Sequence, residues 1–148
     1  MRSIELNWLW RKDKWIILPE FKFVSDSSYM GSYYVPPKQE FIDNNEVAHY
    51  SANGLICITS NPAGTIDAEI AHEWTHHLQF HSGFNFTEVD LSVDIELLQT
   101  DHKEFFREYY SRQHEREALF SECTRTADKH SRWLWYLTTG QTWKNTIK

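Results

Sequence analysis

The stretch "AEIAHEWTHHLQFH" (residues 68–81) carries His72, His76, His77 and His81, and the first two frame a glutamate as His72-Glu73-Trp74-Thr75-His76. Side chains four apart on a helix stand on one face, roughly 6 Å apart at Cβ. His72 and His76 can therefore aim two imidazoles at one cation, the arrangement behind HExxH zinc sites. Glu73, one position further on, is offset from the ligand pair yet close enough to take a proton from a metal-activated water. Ile70, Trp74 and Leu78 recur at spacing four on the opposite face and are expected to anchor the helix in the core. His77 and His81 are expected at the surface. The competing reading is a polar helix that happens to be rich in histidine, since the chain has 8 of them.

A third protein ligand separates the two readings. The pattern HExxHxxGxxH is not met, because Gln79 stands at the glycine position and Ser82 at that of the third histidine. Downstream, "HEREALFSE" (114–122) offers Glu115 and Glu117. Leu119, Cys123, Thr126, His130 and Leu134 follow at helical spacing, and this apolar-rich stripe extended back by four reaches Glu115, whereas Glu117 falls off it. A Glu-Arg-Glu pattern is also what a solvated helix face looks like.

Size and composition bound the rest. The 148 residues suit a single domain with a genuine core. Aromatics at 16%, with 7 tryptophans, point to an aromatic-rich interior. A net charge of −6 argues against a nucleic-acid binder, which normally presents a basic face. The N-terminus lacks the apolar core of a signal peptide, and no run is long enough to cross a bilayer. With only Cys57 and Cys123 and no CxxC, the expected setting is reducing and intracellular, in the cytoplasm.

Along the chain, Ile4, Leu6, Trp8 and Trp10 alternate with polar residues as in a strand, and a second apolar run covers residues 15–18 before Pro19. "SDSSYMGSYYVPPKQE" (25–40) reads as turns, and "NGLICITS" (53–60) as a turn leading into a strand. Thr65 is an expected helix N-cap, with Asp67 and Glu69 in the first turn, and that helix is expected to end near Gly83. A second helix is expected from Thr87, with Asp90 completing a capping box and Leu91, Ile95 and Leu98 on one face. A third is expected from Asp101 to about Leu137. The expected fold class is α+β, a small N-terminal β-sheet followed by a helical half.

The chain resembles compact gluzincin-type zinc metallopeptidases and is most similar to the ImmA/IrrE-type family. "AHYSANGLICITS" corresponds to the strand before the site, "IAHEWTHHL" to the active-site helix and "EREA" (115–118) to the third-ligand helix, covering about residues 48–122. The resemblance implies a minimal zincin-like domain, with Zn2+ held by His72, His76 and Glu115. It selects Glu115 because the ligand glutamate of that pattern lies three residues before the alanine. Leu119 stands where related motifs place Asp or Asn to support a ligand histidine, and Thr75 replaces a small residue. "DHKEFF" (101–106) is similar to the third-histidine region of SprT-type peptidases and makes His102 the rival ligand, with Lys103 in place of a glycine.

The expected function is a zinc-dependent endopeptidase that hydrolyses peptide bonds of a specific protein partner, with Glu73 as general base. Tyr109, Tyr110 and His114 are candidates for stabilising the oxyanion. The strand at 55–60, if an exposed edge, is a place for an extended substrate to pair. The alternatives are a zinc-containing interaction module without activity and a metal-free adaptor domain.

Overall fold

A computed structural model describes residues 16–24, 32–42, 46–59, 65–89 and 92–148. The expected strand at Ile4 to Trp10 lies outside the described residues. Five short strands come first: β1 (Glu20–Val24), β2 (Tyr33–Val35), β3 (Glu40–Ile42), β4 (Ala48–Tyr50) and β5 (Leu55–Thr59). They form a three-stranded sheet in the order β1-β5-β2 and a separate β3-β4 hairpin. β5 runs parallel to β1 and antiparallel to β2. Every side chain of β5 is buried, as its continuous apolar run requires of a strand covered on both faces.

Three details of the sheet differ from the sequence reading. Residues 16–18, the described part of the run before Pro19, are not a strand; pairing begins after Pro19, where Glu20 N–H donates to the Gly54 carbonyl at 2.8 Å. Within the turn-rich segment, Tyr33, Tyr34 and Val35 form β2, because these β-prone residues find partners in Cys57, Ile56 and Leu55. Pro36 and Pro37 then stop the strand. Finally, β5 is the central strand and not an edge, so its backbone is already paired on both sides.

The helical half begins with α1 (Ile66–His81), whose N-cap Thr65 accepts a hydrogen bond from Ala68 N–H at 3.1 Å. A 3-10 turn (Phe86–Glu88) and five further helices follow: α2 (Ile95–Thr100), α3 (His102–Tyr109), α4 (Gln113–Arg125), α5 (Lys129–Thr139) and α6 (Trp143–Thr146). The helix expected from Thr87 does not start there. Asn85 Oδ1 draws both the backbone N–H and hydroxyl of Thr87 into a local turn, and Asp94 caps the next helix instead. The single helix expected after Asp101 is three. The Thr126 hydroxyl caps the Glu122 carbonyl at 2.6 Å, and Asp128 starts the next helix two residues later. The stripe traced through Thr126 and His130 therefore crosses a helix boundary, and those two residues are only half-buried.

α1 lies between the sheet, where it meets β5 and β2, and α4, with which it makes its most extensive packing. Both helices bury small residues, Ala68, Ala71 and Thr75 on one and Ala118 and Ser121 on the other, which allows close approach. Thr75 satisfies its buried hydroxyl on the Ala71 carbonyl. Leu78 is buried as expected, but Ile70 and Trp74 are half-buried. Tyr110, Leu119, Cys123, Leu134, Trp135 and Trp143 form the helical core, whereas Cys57 packs with Val35 and Leu55 in the sheet. The two cysteines thus sit in different clusters. No helix among the described residues is long and apolar enough to cross a membrane. The result is an α+β, minimal zincin-like architecture.

His77, expected at the surface, is fully buried and joins helix to sheet. Its Nε2–H donates to the Ile17 carbonyl at 2.6 Å, which leaves Nδ1 to accept from the Tyr34 hydroxyl at 2.7 Å. Gly54 sits directly against this pair with φ +98°, and a Cβ there would lie 3.1 Å from His77 Nδ1. His81 is half-buried, its ring packed edge-on to His77. Burial lowers the His77 pKa from 6.5 to about 4. Between these values the unfolded chain takes up a proton that the native state refuses, so stability falls as pH drops from 6.5 to about 4. His77→Gln keeps a donor for Ile17 but cannot titrate. Chemical denaturation across that window should show wild type losing stability faster than His77→Gln; parallel curves would sink the assignment.

Candidate metal centre

α1 is exposed at Ile66 and Asp67 and buried through its middle. His72, Glu73 and His76 are each at most 6% exposed, as is Glu115 from the first turn of α4. Ligand atoms of His72, Glu73 and His76 all lie within 4.8 Å of one another, making a His/Glu/His cluster able to hold a metal ion. Across the α1–α4 interface, Glu115 Oε1 stands 2.9 Å from His72 Nε2 and 3.1 Å from His76 Nε2. One carboxylate oxygen thus faces both imidazoles.

The outward nitrogens are fixed by their own partners. His72 Nδ1 meets Glu122 Oε2 at 2.5 Å; a carboxylate only accepts, so this nitrogen carries the hydrogen. Gln79 plays the same part for His76. Its Nε2 donates to the His114 carbonyl at 3.0 Å and to Glu117 Oε1 at 3.0 Å, both of them acceptors. The amide oxygen must then face His76, whose Nδ1–H donates to it at 2.8 Å. In the neutral tautomers so defined, two Nε2 lone pairs and a carboxylate oxygen point at one another with no hydrogen between them. That donor set fits a divalent cation with nitrogen and oxygen ligands at a site of zinc type.

In the absence of a cation, the surrounding carboxylates favour protonated imidazoles, whose Nε2–H groups then bridge to Glu115. Burial opposes charge on His72, but Glu73, Glu122 and the hydrogen bonds to Glu115 and Glu122 outweigh it and raise its pKa well above the ordinary value. Burial also opposes charge on His76, and Glu115 outweighs it, raising that pKa too. Glu115 is held well below the carboxylate range, since His76 and the close approach of His114 and His72 overcome its burial. Glu73 behaves differently: burial prevails over the pull of His72 and His76 and lifts it to about 7.

The remaining sequence candidates fall around this centre or away from it. Burial, with Glu115 and Glu73 nearby, pushes the Tyr109 phenol well above the ordinary range. Tyr110 is buried with its ring edge-on to His72, and His114 Nε2 lies 3.4 Å from Glu115 Oε2. Glu117 reaches the centre only indirectly, as the partner of Gln79. His102 is exposed at the start of α3, where its ring meets Trp133 at 6.4 Å. Two residues were not singled out from sequence as parts of the site. Gln79 stands three positions after His76, and Glu122 stands seven after Glu115, two turns along the same face. Glu122 supports His72 although position 119, where such support is expected, is Leu. The helical spacing is the signal that identifies both.

No family model matches the chain, and neither a curated protein nor a solved structure matches it.

Gln79→Leu keeps the helix but removes the acceptor that holds His76 Nδ1–H. Loss of such outer partners typically weakens metal binding about 10–100-fold. A competitive zinc titration against a chelator should show a loss of that size at unchanged α-helical content. An unchanged affinity would mean that Gln79 does not orient His76.

Proposed function

We propose that this protein is a zinc-dependent endopeptidase acting on a specific protein partner inside the cell, in the cytoplasm, as a single domain over residues 1–148. His72, His76 and Glu115 hold the metal and Glu73 is the general base. The observation that carries this reading is the convergence of both Nε2 atoms on Glu115 Oε1, with each Nδ1 hydrogen committed elsewhere. Zinc, when bound, supplies Lewis acidity, polarising a carbonyl and bringing the pKa of water towards neutrality.

The chain's own groups do the rest. Glu73 takes the proton of the attacking water on its carboxylate and passes it to the leaving amine. Burial raises its pKa, the direction that favours taking up a proton. The Tyr109 hydroxyl, beside Glu115, is the donor best placed to stabilise a developing oxyanion. Because β5 is central, an extended substrate is assigned to a sheet edge, and of the two edges β2 is the one packed on α1.

Metal analysis and proteolysis together test this reading. Wild type should hold about one zinc per chain, lost in Glu115→Ala but retained in Glu117→Ala and His102→Ala. Glu73→Gln should keep the metal and cleave a proteome-derived peptide library at least ~100-fold more slowly, the lower end of what a general base contributes. A wild type that takes up no zinc, or a Glu73→Gln enzyme as active as wild type, would overturn the proposal. Zinc binding without cleavage by wild type would favour the interaction module.

A further inference from the structure

The support of His72 does not end at Glu122. Glu122 Oε1 receives the Ser131 hydroxyl at 2.7 Å, and that hydroxyl also lies 2.9 Å from Asp128 Oδ2. Asp128 already accepts from Ser131 N–H at 2.8 Å and from Thr65 N–H at 3.1 Å. A hydroxyl has one hydrogen. Among the described residues Glu122 Oε1 has no other donor, whereas Asp128 has two, so the hydrogen belongs to Glu122. Asp128, Ser131 and Glu122 are all buried. A buried carboxylate oxygen stripped of its donor is costly, and the group moves to find another.

We propose that Ser131 and Asp128 are positioning residues for His72, acting through Glu122. Asp128 caps α5 and holds the first residue before α1, so one carboxylate fixes the starts of both helices. This places Ser131 where its hydroxyl clamps one oxygen of Glu122 and leaves the other on His72 Nδ1–H. The imidazole is thereby locked with Nε2 towards Glu115. α5, which lies beyond the third-ligand helix, becomes part of the centre rather than mere packing. The metal-facing half of the inference rests on the proposed function above; the Ser131–Glu122–His72 link does not.

The test uses proton NMR of the zinc-free full chain and a zinc titration of the same sample. The short Nδ1–H···Glu122 bond should give a far-downfield, slowly exchanging resonance, assigned by its loss in His72→Gln. Ser131→Ala should move this resonance upfield or broaden it away, and should weaken zinc binding about tenfold, the lower end of the effect of outer-shell partners. Ser131→Cys, close in size with a weaker donor, should do the same to a smaller extent and serves if the alanine variant does not fold. Leu134→Ala, in the core of the same helix, controls for lost stability and should leave both readouts as in wild type. An unchanged resonance and affinity in both Ser131 variants would overturn the proposal, as would equal changes in Leu134→Ala. Failure of wild type to bind zinc would instead strike the proposed function, with the resonance still deciding the role of Ser131.

Discussion

Three buried carboxylates, Glu73, Glu115 and Glu122, surround two buried imidazoles, and this concentration of negative charge is the constraint on which the structure turns. Buried acids at such density are tolerated only with compensating positive charge. With neutral histidines the centre lacks any. The upward pKa shifts of His72 and His76 and the downward shift of Glu115 are one statement of that deficit. Protons can fill it by charging the histidines. A divalent cation is the other way to supply positive charge there, and the His/Glu/His cluster is able to hold one.

Such a centre needs rigid walls, and α1 and α4 supply them. Their small buried residues let the two backbones approach until a glutamate on one touches two histidines on the other. Helical periodicity then does double duty on α4. Glu115 and Glu122, two turns apart, meet opposite nitrogens of the same His72 ring. Gln79 plays the corresponding part for His76 from within α1. On the other side of α1, His77 ties the helix to β2 and to the chain entering β1, so the helix is held on both flanks by polar contacts made through histidine.

The contrast between adjacent histidines is instructive. His76 and His77 are both buried, yet their pKa values move in opposite directions. His76 looks at a carboxylate and is pulled towards the charged form. His77 looks at a hydroxyl and a carbonyl, which offer too little to offset the loss of water. Neighbouring residues of the same type thus face a buried carboxylate and the helix–sheet seam respectively, divided by one step of about 100° around a helix.

The sequence by itself determined the elements whose evidence is local. The β5 strand, the Thr65 cap, the extent of α1 and the facing of His72 and His76 all follow from composition and spacing within a few residues. The stripe that led back to Glu115 holds only for Leu119 and Cys123 on α4 and breaks at Thr126. What only the tertiary structure decided depends on distant partners. β2 exists because β5 is there to pair with it, and β5 is central because β1 joins its other side. The long third helix broke where Thr126 and Asp128 found hydrogen bonds better than helix continuation. His77 read as surface because the carbonyl of Ile17, sixty residues away, cannot be foreseen as its partner. Glu122 and Ser131 carry no local signal for the same reason: a charged or hydroxyl residue on a helix is usually solvated, and only the packing of α1, α4 and α5 turns these into the outer wall of a buried centre.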